Sequence, residues 1–252
     1  MPIVSFWSST KRETAQTLSM IAIACHMAVE NNTKILMVDT NFNDPTIKTA
    51  FFPEFDNSTK RAIKKLNAGK IDIGSGIEGL AKLLASGKNC GEVITDYSKV
   101  IYKGRLEAIL SYFSNDETEI ARIRQAYKDL VKQASQHYDY VFVDLPKGLD
   151  DTFTNEMLNI SDVIVFNLTQ RQRDINDYLK IARDIGEKKE IPAVSYNTLF
   201  FENANEGQIG DYFLKFRKSL ISSNDRNAVF VDEVANAADR VVFKTQEVLL
   251  MR

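Results

Sequence analysis

A doubly wound α/β fold, with a mostly parallel sheet and helices on both faces, is what the sequence predicts, and three observations predict it. Short runs rich in Val, Ile and Phe recur along the chain. The stretches between them carry helical periodicity. Runs such as ILMV (35–38) and VFV (141–143) are apolar at consecutive positions. A strand with one face in water alternates apolar and polar residues, whereas parallel strands covered by helices on both faces need not. At 252 residues, 44% hydrophobic and 26% charged, the chain is long enough to bury a full core as one domain, 1–252. No internal repeat or low-complexity linker interrupts it.

The elements follow in order. Strands are predicted at PIVSF (2–6), KILMVD (34–39), YDYVFVD (138–144), SDVIVFNLT (161–169), IPAVSYN (191–197) and NAVFVDEV (227–234). The first helix, Glu13 to Glu30, runs through TAQTLSMIAIACHMAV, which is too apolar for a surface helix and belongs in the core. His26 lies inside it and reads as a satisfied core or edge histidine. His137, before YDY, reads likewise, and neither is assigned chemistry. Residues 53–115 are punctuated by Gly69, Gly74, Gly76, Gly79, Gly87, Gly91 and Gly104, and within them IEGLAKLLASG is predicted to be a helix. The closing VANAADRVVFKTQEVLLMR reads as a last helix packing on the sheet rather than as an amphipathic membrane helix, because it has few basic residues.

Charge and cysteine usage exclude several function classes. The net charge is −2, so no global basic field exists to hold DNA by counterion release. The run STKRAIKKLNAGK (58–70) is basic, but Glu54 and Asp56 dilute it and it reads as a solvated helix face. Cys25 and Cys90 lack metal or disulfide spacing and suit a reducing compartment. With no long apolar span and a quickly polar amino terminus, the expected location is cytoplasmic, with the inner face of the membrane as a peripheral site.

Polar residues collect where three predicted strands end: FWSSTKRETAQT after the first, VDTNFNDPT at 38–46, and VDLPKG at 143–148. The carboxyl-terminal edge is where open α/β sheets bind ligands. Asp39 and Asp144 end their strands there, and such carboxylates can hold the waters of a magnesium ion or orient an attacking water. The same aspartates serve equally as turn or cap residues.

Together these segments resemble the ParA/MinD branch of P-loop ATPases, whose deviant phosphate loop reads KGGVGKT, followed by a D-x-D strand end and a YDYIIID-T-P-P strand. YDYVFVDLPKG is similar to the third motif, and ILMVDTN to the second with Asn41 in place of its second aspartate. SDVIVFNLTQRQRDINDYLK looks like the following strand and helix. The resemblance implies ATP or ADP with magnesium as cofactor, Asp39 as catalytic and metal residue, Asp144 as metal residue and Asn197 as the adenine contact. It also implies a homodimer. Members with irregular loops include the TadZ/CpaE type, which position pilus or secretion machinery at the membrane. That points to protein partners in a membrane-associated assembly, and the 252 residues are expected to hold the ATPase-like domain without a receiver-like one before it. The alternative is an active ParA-type ATPase in plasmid or chromosome partitioning, which expects an intact loop and DNA or membrane attachment.

The first motif departs from the family. Laid without gaps, KGGVGKT puts Trp7 at the signature lysine, Ser8 and Ser9 at glycines, Thr10 and Lys11 next, Arg12 at the phosphate-binding lysine and Glu13 at the magnesium-binding threonine. A shifted register lets Lys11 replace Arg12, or Thr14 supply the hydroxyl. Glycine allows successive N–H groups to turn toward a phosphate with no side chain in the way, and this stretch has none. Thr10 to Glu13 also fits a capping box, a self-satisfied helix start. On either reading nucleotide binding is expected to be weak or lost and hydrolysis near background, with Trp7 in the signature position contacting the loop or a second copy.

Overall fold

A computed structural model of the chain describes residues 1–9, 14–52, 76–146, 152–168 and 193–195, with single positions at 176, 177, 179, 180, 238, 239, 241, 242 and 246. Its strands are β1 (Ile3–Trp7), β2 (Ile35–Asp39), β3 (Lys99–Tyr102), β4 (Leu106–Ile109), β5 (Tyr140–Asp144), β6 (Val163–Leu168) and β7 (Ala193–Ser195). They form one sheet in the order β3-β4-β2-β5-β1-β6-β7. Every pairing is parallel except β3 with β4. The doubly wound α/β fold expected from the sequence is therefore the observed one.

The period of two in a strand divides the core. On β1, Val4 and Phe6 join one apolar cluster while Ile3 and Trp7 join the other. The first cluster lies under α1 (Gln16–Glu30) and α2 (Thr46–Phe51). The second lies under α3 (Ile77–Ala85), α4 (Ile94–Tyr97), α5 (Glu117–Ala134) and α6 (Thr152–Ile160). Strands sandwiched in this way can be apolar at every position, which explains ILMV and VFV.

Helix α5 shows how sequence makes an element here. Asp116 caps it, its carboxylate accepting from the Thr118 hydroxyl and from the Thr118 and Glu119 amides, and those bonds, the hydroxyl's foremost, hold its carboxyl below the usual carboxylate range. Ile123, Ala126, Tyr127, Leu130, Val131 and Ala134 are buried at helical spacing. Helix α1 is buried along most of its length, as its composition predicts.

Four readings change. First, α1 opens at Gln16, not Glu13, and its cap is Ala15 in the left-handed region (φ 48°) with no side-chain bond, while the expected capping box, Thr10 to Glu13, lies outside the described residues. Second, 53–115 contributes an antiparallel hairpin, β3 and β4, turning through Gly104 at φ 75°. Third, Trp7 is 1% exposed and packs edge-on against Phe166 with ring centroids 5.3 Å apart, so its indole is core and not a contact for a second copy. Fourth, His26 is buried as expected, but its Nδ1 has no hydrogen-bond partner, and burial holds its pKa below the ordinary histidine value. The helix expected at IEGLAKLLASG is α3. The strand expected at 227–234, the basic run 58–70 and most of the carboxyl-terminal helix lie outside the described residues. Among the described residues no helix is long and apolar enough to cross a membrane.

Candidate functional site

The parallel register of β2 and β5 sets Asp39 directly opposite Asp144 at the carboxyl-terminal edge of the sheet. Asp39 is 1% exposed and Asp144 is fully buried. Burial raises the Asp39 carboxyl well above the usual carboxylate range, and the charges of Asp144 and then Asp44 push the same way. The Asn41 backbone amide, donating to Oδ1 at 3.0 Å, and its side-chain amide act against them.

Helix α1 begins over this pair. Gln16 Nε2 donates to Asp144 Oδ1 at 2.7 Å and to the Leu145 carbonyl at 2.6 Å. Thr17 Oγ1 donates to Asp144 Oδ2 at 2.6 Å, and Asn41 Nδ2 reaches the same oxygen at 2.9 Å. Thr40 binds the Asp144 carbonyl through its hydroxyl at 2.6 Å, and Tyr127 OH donates to the Asp39 carbonyl at 2.9 Å. The first turn of α1, the loop after β2 and the end of β5 thus converge on one carboxylate. Two acceptors beside them, Gln16 Oε1 and Thr14 Oγ1, are buried without a partner.

Of the residues singled out in the sequence, Asp39 and Asp144 come together, with Asn41 between them. Ser8 is buried and Ser9 half-buried just past β1, and Thr14 is buried ahead of Ala15. Thr10, Lys11, Arg12, Glu13 and Asn197 lie outside the described residues. Because α1 opens at Gln16, the side chains in its first turn are Gln16 and Thr17, not Arg12 and Glu13. Sequence reasoning passed over Gln16 and Thr17. The signal was there: a phosphate loop runs strand, Gly-rich turn, Gly-Lys-Ser/Thr, helix, and Ala15-Gln16-Thr17 stands where that last triplet opens the apolar run. Ala15 even holds the positive φ that glycine normally supplies.

No protein-family model matches the sequence, and no curated protein matches it. Solved structures do match in fold. The cell division ATPase MinD of Pyrococcus furiosus superposes with a TM-score of 0.60 at 11% identity, over 95% of this chain and 98% of that one. A putative plasmid partition protein of Borrelia burgdorferi, bound to AMPPNP, gives 0.54 at 14% identity over 99% and 98%. A ParA family ATPase from Chlorobium tepidum gives 0.55 at 15% identity over 77% and 72%. Sheet order, parallel pairing and these superpositions together show that the chain has the fold of the ParA/MinD P-loop ATPases.

Proposed function

We infer that the chain is a divergent ParA/MinD-like ATPase-fold protein that acts in positioning or assembling a cellular machine of the pilus or secretion kind, with nucleotide binding weakened and hydrolysis impaired. The observation that carries the chemical part is the first turn of α1, which offers Asp144 a neutral amide and a hydroxyl. On the metal side the residues fit. Thr17 spends its proton on Asp144 and keeps its lone pairs, and Asp39 stands opposite with a second carboxylate. Those oxygens would hold magnesium, and bound magnesium would neutralise charge on a nucleotide's phosphates.

On the phosphate side they do not fit. Gln16 brings no positive charge to the helix start, and its Oε1 is an acceptor, as a phosphate oxygen is. Ala15 puts a Cβ where a phosphate loop uses glycine. Stabilising the spread charge of a transferring phosphoryl group is nearly the whole of catalysis in this class, so losing the lysine weakens turnover more than binding. The chain is on this reading at most a weak ATPase. The positioning role rests on the sequence's resemblance to loop-divergent members, with a homodimer, membrane-associated protein partners and a cytoplasmic or peripheral location following from it. An active partition ATPase is disfavoured by the same first turn.

Calorimetric titration with ATP and ADP, with and without magnesium, tests the chemical part. Dissociation constants of roughly 0.1 mM or weaker and phosphate release at background are expected. Robust magnesium-dependent hydrolysis that Asp39→Ala abolishes would overturn it. For the role, pull-down from the native host should recover secretion or pilus components rather than a centromere-binding protein.

A further inference from the structure

The Gln16 amide is committed inside the protein. Both protons of Nε2 are spent, one on the Asp144 carboxylate and one on the carbonyl of the next residue, Leu145. Thr17 and Asn41 occupy the other carboxylate oxygen. Gln16, Asp144 and Thr17 are each at least 95% buried. A lysine at this place is a mobile charge on a flexible stem, which gains by leaving one carboxylate for a polyphosphate. A neutral amide held by two adjacent acceptors has no such gain, and moving it would break two buried hydrogen bonds at once.

We propose that Gln16 is a latch, a positioning residue that pins the start of α1 to the end of β5 and keeps this edge in one conformation whether or not nucleotide is present. The proposal rests on the reading above and adds to it that the edge does not cycle. Position 16 then decides between a switch and a fixed surface: an amide fixes it, an ammonium would free it.

Hydrogen–deuterium exchange of the full chain tests this, read at amides 14–20 and 40–46 with β6 amides 163–168 as the internal control for global unfolding. The wild type should exchange equally with and without millimolar Mg-ATP or Mg-ADP. Gln16→Ala, and Gln16→Asn, whose amide is too short to reach both acceptors, should exchange roughly tenfold faster at the first two segments with β6 unchanged. Gln16→Lys should acquire a slowing on adding Mg-ATP, a response that a merely structural glutamine would not hide. Mg-ATP slowing the wild type roughly tenfold, or Gln16→Asn staying as protected as the wild type, would overturn the latch. Should Gln16→Ala not fold, the Asn and Lys variants and the wild-type nucleotide arm still decide. Tight calorimetric binding with unchanged exchange would sink the weak-binding reading and support the latch.

Discussion

Asp39 is a carboxyl held almost entirely out of water, directly opposite a second carboxylate. In the folded chain burial and the opposing Asp144 make it hold its proton to higher pH than it would when unfolded. Between those two values the native state binds more protons, so this contribution is complete below the unfolded pKa and is lost as pH rises through the folded one. Asparagine at 39 keeps the acceptor for the Asn41 amide and has no proton to lose. Asp39→Asn should therefore melt above the wild type at about pH 8, with the difference shrinking toward about pH 5. Thermal denaturation across that range measures it, and an equal gap at both ends would show that the carboxyl is not strained by its surroundings. A second residue-scale outcome concerns Ala15. A left-handed conformation costs an L-residue about 1–2 kcal/mol, part of which glycine returns as unfolded-state entropy, leaving Ala15→Gly about 0.5–1 kcal/mol more stable in denaturant titration.

At the scale of elements, what could be read from the sequence divides by physical cause. Strands β1, β2, β5 and β6 announced themselves because burial on both faces demands apolar residues at every position, and such runs have few other uses. The hairpin of β3 and β4 did not. Lys99 and Val100 are exposed at the sheet edge, and Glu107 interrupts the second strand, buried there only because Tyr138 and Ser98 donate to it at 2.6 and 2.8 Å. That compensation comes from distant residues and leaves no local pattern. The carboxylate pair was legible because both members end strongly apolar strands. The helix start was not, because the usual marker of a positive φ is glycine and here alanine takes the strain, so the register slid back toward the lysine and arginine of the loop. Charge is a poor guide to register where backbone conformation, here the positive φ of Ala15, sets the helix start.

For the molecule as a whole, the two apolar clusters leave the carboxyl-terminal edge as the surface on which polar side chains converge. A homodimer, if it forms through that edge, does so without Trp7, whose ring is committed to the core. Analytical ultracentrifugation should then show the same association constant with and without Mg-ATP, because no charge at position 16 ties assembly to nucleotide. With a net charge of −2, random duplex DNA at physiological salt should bind no tighter than roughly 1 µM, and nanomolar affinity lost on substituting Lys60, Arg61, Lys64 and Lys65 would restore the partition reading.

The turn at Lys103, Gly104 and Arg105 offers a practical handle. β3 runs against β4, so the turn precedes the start of β4 and sits at the end of the sheet opposite the aspartate pair. Lys103 and Gly104 are exposed. A fluorophore or short peptide tag inserted there would extend a loop that is already in water, where insertions are best tolerated. It would leave the carboxyl-terminal edge clear while the protein is imaged.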